Sequence, residues 1–235
     1  MKLMKQIITS LTALLLLASV SANAQYRTGR RPATARPKAP SGHYDNRGSR
    51  YNGYTYYGFR VGLNASNISS DSKFLDGNKM ATGLNLGFAI GTSLSYSSPI
   101  FLESGLYYTE KGGKSEKGLD KFTYDLNYLE VPIVFKYRYF VDRDCSIDPF
   151  LGGYLALGVG GEIKDYAARA SYGSFSDTYL EHFKRFDAGI KVGCGMTANI
   201  FYGEISYDIG LADVGSDSFG DTRTGCLNFL VGVNF

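Results

Sequence analysis

Leu227-Asn228-Phe229-Leu230-Val231-Gly232-Val233-Asn234-Phe235 closes the chain. Phe229, Val231, Val233 and Phe235 fall on one side of a period-2 ladder, and the last residue is aromatic. A soluble protein has little use for an apolar strand of this kind. The last strand of an outer-membrane barrel faces lipid at alternate residues and carries the signal read by the insertion machinery. These four residues are therefore the expected assembly signal, with the barrel-insertion machinery and outer-membrane lipid as expected partners.

The opening residues have the form of a secretory signal peptide, expected at residues 1–24. Lys2 and Lys5 precede the mostly apolar run from Ile7 to Val20, and Ala22-Asn23-Ala24 is a small-x-small cleavage site. That run is shorter than the roughly 20 residues a spanning helix needs. The mature chain is expected to begin at Gln25. No later stretch is continuously apolar for long enough to cross as a helix, so a membrane-embedded form of this chain has to be a closed barrel, in which every backbone group is paired.

Charge divides the remainder. Residues 25–55 carry seven cations and the single acid Asp45, whereas residues 56–235 carry 16 cations and 21 acids. The first segment contains Arg31-Pro32, Arg36-Pro37 and Ala39-Pro40 and no apolar periodicity, and is expected to be a basic, disordered periplasmic tail. It is suited either to an anionic partner or to a role as a solvated spacer. Nucleic acid is not an expected partner in that compartment. Cys145, Cys194 and Cys226 are odd in number and widely spaced, which fits neither a metal nor a redox motif. Cys194 and Cys226 are expected as small core or lipid-facing residues.

From Tyr56 onward the chain alternates with period 2. Eight strands are expected at about 57–66, 83–96, 100–111, 122–140, 149–162, 183–198, 201–211 and 225–235, each near or above the 9–11 residues a tilted spanning strand needs. The expected fold is all-β: an eight-stranded antiparallel up-and-down transmembrane β-barrel over residues 56–235. Alternation alone does not say which face is inside. Three features favour an apolar exterior. The polar face is rich in Gly, Ser and Ala, which suits a crowded lumen. Its charges are of both signs: Arg60, Lys136, Arg138 and Lys191 against Glu103, Glu130, Asp187, Glu204 and Asp208, and these nine are the expected lumen charge network. Short turns (97–99, 142–147, 199–200) alternate with long loops (67–82, 112–121, 163–182, 212–224), the outer-membrane pattern of short periplasmic turns and long external loops. Tyr56, Tyr57, Tyr96, Tyr137, Tyr139, Phe140, Phe201 and Tyr202 lie near strand ends and are expected in interfacial girdles. An even strand number places both termini in the periplasm of a Gram-negative envelope.

Four stretches carry a family resemblance: Gly58–Ser66, Leu102–Gly112, Tyr128–Ile133 and Tyr207–Leu211. Together they resemble the PorT-type outer-membrane beta-barrel family, a porin-family, OmpX/OmpA-like eight-stranded barrel. The resemblance covers about residues 57–235. It implies the barrel fold and an outer-membrane location; the family's founding member is similar to an accessory of a secretion pathway, and the resemblance implies no catalytic residues.

Candidate sites are few. His182 stands near Glu181, Asp177 and Ser176 at a loop–strand junction, the residue types of a rim hydrolase acting on lipid or protein. The alternative is a solvated rim histidine. His43 lies in the tail. Asp213, Asp217 and Asp221 form an acidic loop whose spacing does not match a calcium loop. Gly158-Val159-Gly160-Gly161 lacks the spaced Gly and Lys of a phosphate loop. No cofactor or metal is expected. At eight strands the interior is just wide enough for side chains, which disfavours a general porin. The leading expectation is a monomeric, sealed binding or scaffold barrel, possible partners being envelope-assembly or secretion proteins. A rim enzyme and a narrow diffusion pore are the alternatives.

Deleting Phe235 should lower the yield of folded, heat-modifiable barrel in the outer membrane. Gel mobility with and without heating measures this, and an unchanged folded yield would remove the insertion-signal role.

Overall fold

The computed structural model describes residues 54–70, 79–94, 98–117, 120–142, 144–165, 170–175, 183–215 and 221–235. The expected signal peptide, nearly all of the basic tail, His43, Tyr96, His182 and Asp217 lie outside the described residues.

Eleven β-segments follow in order: β1 (Thr55–Ser70), β2 (Lys79–Ser93), β3 (Ile100–Lys117), β4 (Asp120–Tyr137), β5 (Tyr139–Phe140), β6 (Cys145–Gly160), β7 (Glu162–Asp165), β8 (Ala170–Gly173), β9 (Phe186–Ala198), β10 (Phe201–Gly210) and β11 (Thr222–Asn234). Eight of them form the wall, in the cyclic order β1-β2-β3-β4-β6-β9-β10-β11, all antiparallel. Pairing of β11 back onto β1, from Gly58 opposite Asn234 to Ser70 opposite Thr222, closes the barrel without an edge. One end carries the tight connections and residues 54–55 and 235; we call it the turn end. The other carries the longer connections and is called the loop end.

The faces divide as an inverted barrel requires. Outward residues are large and apolar: Leu63 is 58 % exposed, Val231 62 % and Phe201 65 %. Their neighbours in sequence point inward and are polar or small, with Arg60, Glu130 and Lys136 each at 1 % or below. The C-terminal ladder follows this rule, with Phe229, Val231 and Phe235 exposed on the outer face and Val233 half-buried there. In water such a surface would be an aggregation hazard; in hydrocarbon it is the solvated face.

The lumen is filled by a repeated device. Four large inward side chains stand directly opposite a glycine on the next strand: Tyr56 opposite Gly91, Tyr107 opposite Gly87, Phe150 opposite Gly193 and Tyr154 opposite Gly189. The rings fold over those glycines. A Cβ on Gly91 would lie 2.3 Å from the Tyr56 ring, and one on Gly193 would lie 2.6 Å from that of Phe150. The glycine-rich inner face is thus the complement of the aromatic residues beside it.

Two kinds of expectation are corrected, the place of two tyrosines and the extent of the loops. Tyr56 and Tyr202, expected in the girdles, are buried in the lumen, because their parity on β1 and β10 is inward. Tyr57, Tyr137, Tyr139 and Phe201 do face outward near strand ends, and Phe140 is half-buried. The expected loop at 112–121 is largely strand: β3 runs to Lys117 and β4 starts at Asp120. Beyond the apolar band both faces of a strand meet water, so pairing continues after hydrophobic alternation has stopped. For the same reason β1 and β11 extend into the expected loops at 67–82 and 212–224, and the expected loop at 163–182 contains part of β7 and all of β8.

Gly193→Val should destabilise the barrel by about 1–3 kcal/mol through overpacking against Phe150. Gly203 faces outward with nothing within 4 Å of an added Cβ, so Gly203→Val should leave stability unchanged or raised. Urea unfolding in lipid vesicles compares them, and equal effects would contradict the ring-over-glycine packing.

Candidate functional site

The inner face of the wall gathers the charged residues into two clusters. The first lies toward the turn end. Glu103 on β3 accepts from Lys136 Nζ on β4 at 2.8 Å and from the Tyr56 hydroxyl, and pairs with Arg60 on β1 at 3.4 Å. Lys136 Nζ also donates to the Tyr202 hydroxyl at 2.6 Å, which donates to Glu204 at 2.6 Å. Lys136 and Glu204 stand 3.8 Å apart. The Arg60 guanidinium stacks 3.6 Å from the Tyr202 ring centre and donates to Asn234 Oδ1 at 2.7 Å. At the base, Arg138 holds Asp148 through Nε and NH2 at 3.0–3.3 Å, with its guanidinium 4.4 Å from the Phe101 ring centre.

The second cluster lies nearer the loop end. Lys191 on β9 reaches Asp208 at 2.7 Å and Glu130 at 3.1 Å. Lys111 on β3 reaches Glu130 at 3.1 Å and Asp187 at 3.4 Å, and lies 4.2 Å from the Tyr154 ring centre. Thr224 donates to Asp187 at 2.9 Å and Asn228 to Asp208 at 2.9 Å. Asn85 donates in turn to Asn228 at 3.0 Å. Cys226 is buried beside Asn228, whereas Cys194 is half-buried on the outer face; these two and Cys145 are free thiols.

All nine residues expected in the lumen are there. Two more complete the set among the described residues: Lys111 and Asp148. Lys111 shares the inward parity of Glu103, and its position was readable on that ground. Asp148 falls in what reads as a turn, because β6 begins at Cys145 rather than near residue 149. Five cations (Arg60, Lys111, Lys136, Arg138 and Lys191) thus face six carboxylates (Glu103, Glu130, Asp148, Asp187, Glu204 and Asp208). Moving an ion out of water costs several kcal/mol, which is offset only when it is paired and hydrogen-bonded.

An apolar cap covers the second cluster. Ile68, Tyr124, Leu126, Tyr128, Tyr154 and Ala156 from the wall pack with Ile163, Phe175, Phe183 and Val214. The last three come from the connections that follow β8 and β10, so these segments fold inward over the lumen. They are tied there by Phe183 N–H to Ser174 O at 2.8 Å, Lys184 N–H to Val214 O at 2.8 Å and Val214 N–H to Thr222 O at 2.9 Å. Arg185 donates to the carbonyls of Gly158 and Phe175, each at 3.2 Å. In the same region Asp213 accepts from the Lys184 ammonium and from the backbone N–H groups of Gly215 and Thr222. Partial burial alone would raise the Asp213 carboxyl. These donors outweigh it and hold the group below the usual carboxylate value. Asp213 is thus occupied as a loop clamp. No cluster of three or more metal-ligating side chains occurs among the described residues.

Comparison with known proteins gives one family match. Residues 34–215 match the model of the outer membrane protein beta-barrel domain. No curated protein sequence matches the chain. Among solved structures, the chain is similar to the attachment invasion locus protein Ail of Yersinia pestis, solved with the heparin analogue sucrose octasulfate (15 % identity, 77 % of this chain and 99 % of that one, TM-score 0.40). It is also similar to neisserial surface protein A (14 %, 77 % and 97 %, TM-score 0.45) and to OprG of Pseudomonas aeruginosa (12 %, 78 % and 97 %, TM-score 0.46).

The Arg138–Asp148 pair gives a direct test of coupling. Arg138→Met alone should cost about 3–5 kcal/mol, because it strands a buried carboxylate. Adding Asp148→Leu should recover much of that loss. A double-mutant cycle in urea measures it, and additivity within about 0.5 kcal/mol would show that the two charges do not depend on each other.

Proposed function

The chain belongs to the outer membrane protein beta-barrel domain family, and from that membership we propose that it is a sealed anchor whose loop end binds a protein partner outside the membrane. The observation that carries this reading is the filled lumen. Two ion-pair clusters and an apolar cap occupy the interior, which leaves the outer surface as the place where the protein acts. The reading sets the loop end outward and both termini in the periplasm, with the basic tail beneath the membrane.

The loop end offers a suitable surface. β3 and β4 pair out to Lys117 opposite Asp120, and β7 and β8 add to β4, so a four-stranded sheet β3-β4-β7-β8 continues from the wall. Among the described residues its margins carry no further strand: β8 ends the sheet order, and the β2–β3 ladder starts only at Lys79 opposite Lys114. An unpaired strand edge is a template for another chain, with backbone hydrogen bonds supplying affinity. An envelope-assembly or secretion protein is the class of partner in keeping with the resemblance to PorT-type barrels. The rim-enzyme reading needs His182, which lies outside the described residues, and no observation on the described loops favours it.

Two measurements test this. Purified protein in planar bilayers should give no steady single-channel conductance; discrete, long-lived current steps would replace the sealed anchor with a pore. A photo-crosslinking residue at Ser171 on β8 should capture a discrete protein in intact cells, whereas one at lipid-facing Leu151 should not. Lack of any product from Ser171 would overturn the partner-binding role of this edge.

A further inference from the structure

The ladder between β2 and β3 is broken at one place. Pairing runs from Ser93 opposite Phe101 to Asn85 opposite Thr109, stops, and resumes at Met80 opposite Gly113. β2 therefore spends four residues, 81–84, where β3 spends three, 110–112. On its other side β2 keeps an unbroken register with β1, from Thr55 opposite Thr92 to Ser66 opposite Ala81. The interruption is confined to one seam of the wall, as a β-bulge is.

Side chains take over the backbone groups freed there. Ser66 Oγ reaches across from β1, accepting from Gly112 N–H at 2.7 Å and donating to Gly112 O at 3.0 Å. The Glu110 carboxylate accepts the Leu84 N–H at 3.1 Å. A cavity of about 240 Å3 opens at this seam. Thr82, Glu110, Asp125 and Asn127 form its mouth on the outer side of the wall, while Ser66 and Lys111 lie at its floor. Gly83 keeps it open: a Cβ there would lie 2.1 Å from Glu110 O and 2.8 Å from Asn64 Oδ1.

Behind Gly83 lies a group of buried polar atoms without a protein partner. Asn64, opposite Gly83 and 1 % exposed, has neither side-chain atom bonded. Asn85 Oδ1 and Thr109 Oγ1, on residues that face each other across the seam, are likewise unmatched. Buried amides and hydroxyls are normally satisfied by protein, by water or by a ligand. Three residues thus present spare donors and acceptors on the lumen side of Gly83, and Gly83 itself lines the cavity.

The height of the mouth indicates what reaches it. On the outer face, β3 reads Leu102, Ser104, Leu106, Tyr108 and then Glu110, while β4 reads Ile133, Val131, Leu129 and then Asn127 and Asp125. The cavity stands immediately past the apolar band, where lipid headgroups lie, and can be entered from the membrane plane. Its chemistry narrows the headgroup. Two carboxylates at the mouth disfavour phosphate or sulfate; Lys164 is drawn to Asp125 at 3.8 Å and Glu162 at 3.6 Å, and Lys111 at the floor is committed to Glu130 and Asp187. Carboxylates, amides and hydroxyls without a free cation suit a cluster of uncharged hydroxyl groups. The volume is below the roughly 300 Å3 at which sites for drug-sized ligands begin, so one ring is the size accommodated.

We propose that the β2–β3 bulge is a lateral binding site for the uncharged sugar headgroup of a membrane glycolipid. It rests on the membrane placement of the barrel and not on the partner-binding sheet edge. The full chain in phosphatidylcholine nanodiscs, doped with increasing monoglucosyldiacylglycerol, should show saturable amide shifts at Gly83, Leu84, Glu110 and Lys111 and at the Asn64 side-chain amide. Asn127→Leu, which narrows the mouth without touching the bulge bonds, should raise the half-saturating lipid fraction at least tenfold. Gly83→Val should abolish the response; if it does not fold, the Asn127 variant still decides. No saturable shift, an equal shift with phosphatidylglycerol, or an unchanged response in Asn127→Leu would overturn the site. An equal response to free methyl glucoside at matched concentration would overturn its assignment to a lipid.

Discussion

Every ion inside this barrel has to meet a counter-ion from another segment of the wall, and the rest of the structure is arranged around that requirement. An eight-stranded wall leaves an interior only as wide as its side chains. Bulk water does not hydrate a charge there, so the cost of burial falls on partners supplied by other strands. Glu103 is held by cations from β1 and β4, Glu130 by cations from β3 and β9, and Asp148 by Arg138 from across the β4–β6 pairing. These pairs link different strands and favour one register, because a slip of one residue would turn each charge out into hydrocarbon.

The aromatic rings and the cap complete this arrangement. Tyr56, Tyr107, Phe150 and Tyr154 occupy the space their facing glycines leave, and two of them also serve the ions, Tyr56 as a donor to Glu103 and Tyr154 as a donor to Asp187 at 3.3 Å. At the loop end the side chains change from charged to apolar, and Phe175, Phe183 and Val214 close the opening. At the β2–β3 seam, where the ladder shifts register, the inner side chains of Asn64, Asn85 and Thr109 carry polar atoms without partners.

Much of this was legible in the chain. Period-2 alternation located the eight wall strands, and the mixed charges on the small-residue face identified nine of the lumen ions. The misses have physical causes. Alternation is a signal of the membrane, so it faded where β3 and β4 leave the apolar band, and the external sheet read as a loop. Tyr56 and Tyr202 sit near strand ends like girdle residues, but one position of parity sends them inward. Asp148 was hidden by a strand that starts before its apolar residues do. Phe175, Phe183 and Val214 lie in segments without periodicity, and their convergence depends on how two loops fold back together. The bulge needs a count of residues on two strands at once, which no single strand reveals.

The lumen ions are locked to one another and closed to bulk water. Exchange of the lysine ammonium protons reports this directly, by 15N-resolved NMR of the full chain in nanodiscs. Separate, slowly exchanging ammonium signals are expected for Lys111, Lys136 and Lys191, with the exposed Lys184 exchanging rapidly. Rapid exchange at all four would mean that water moves freely through the interior, and would contradict the sealed lumen.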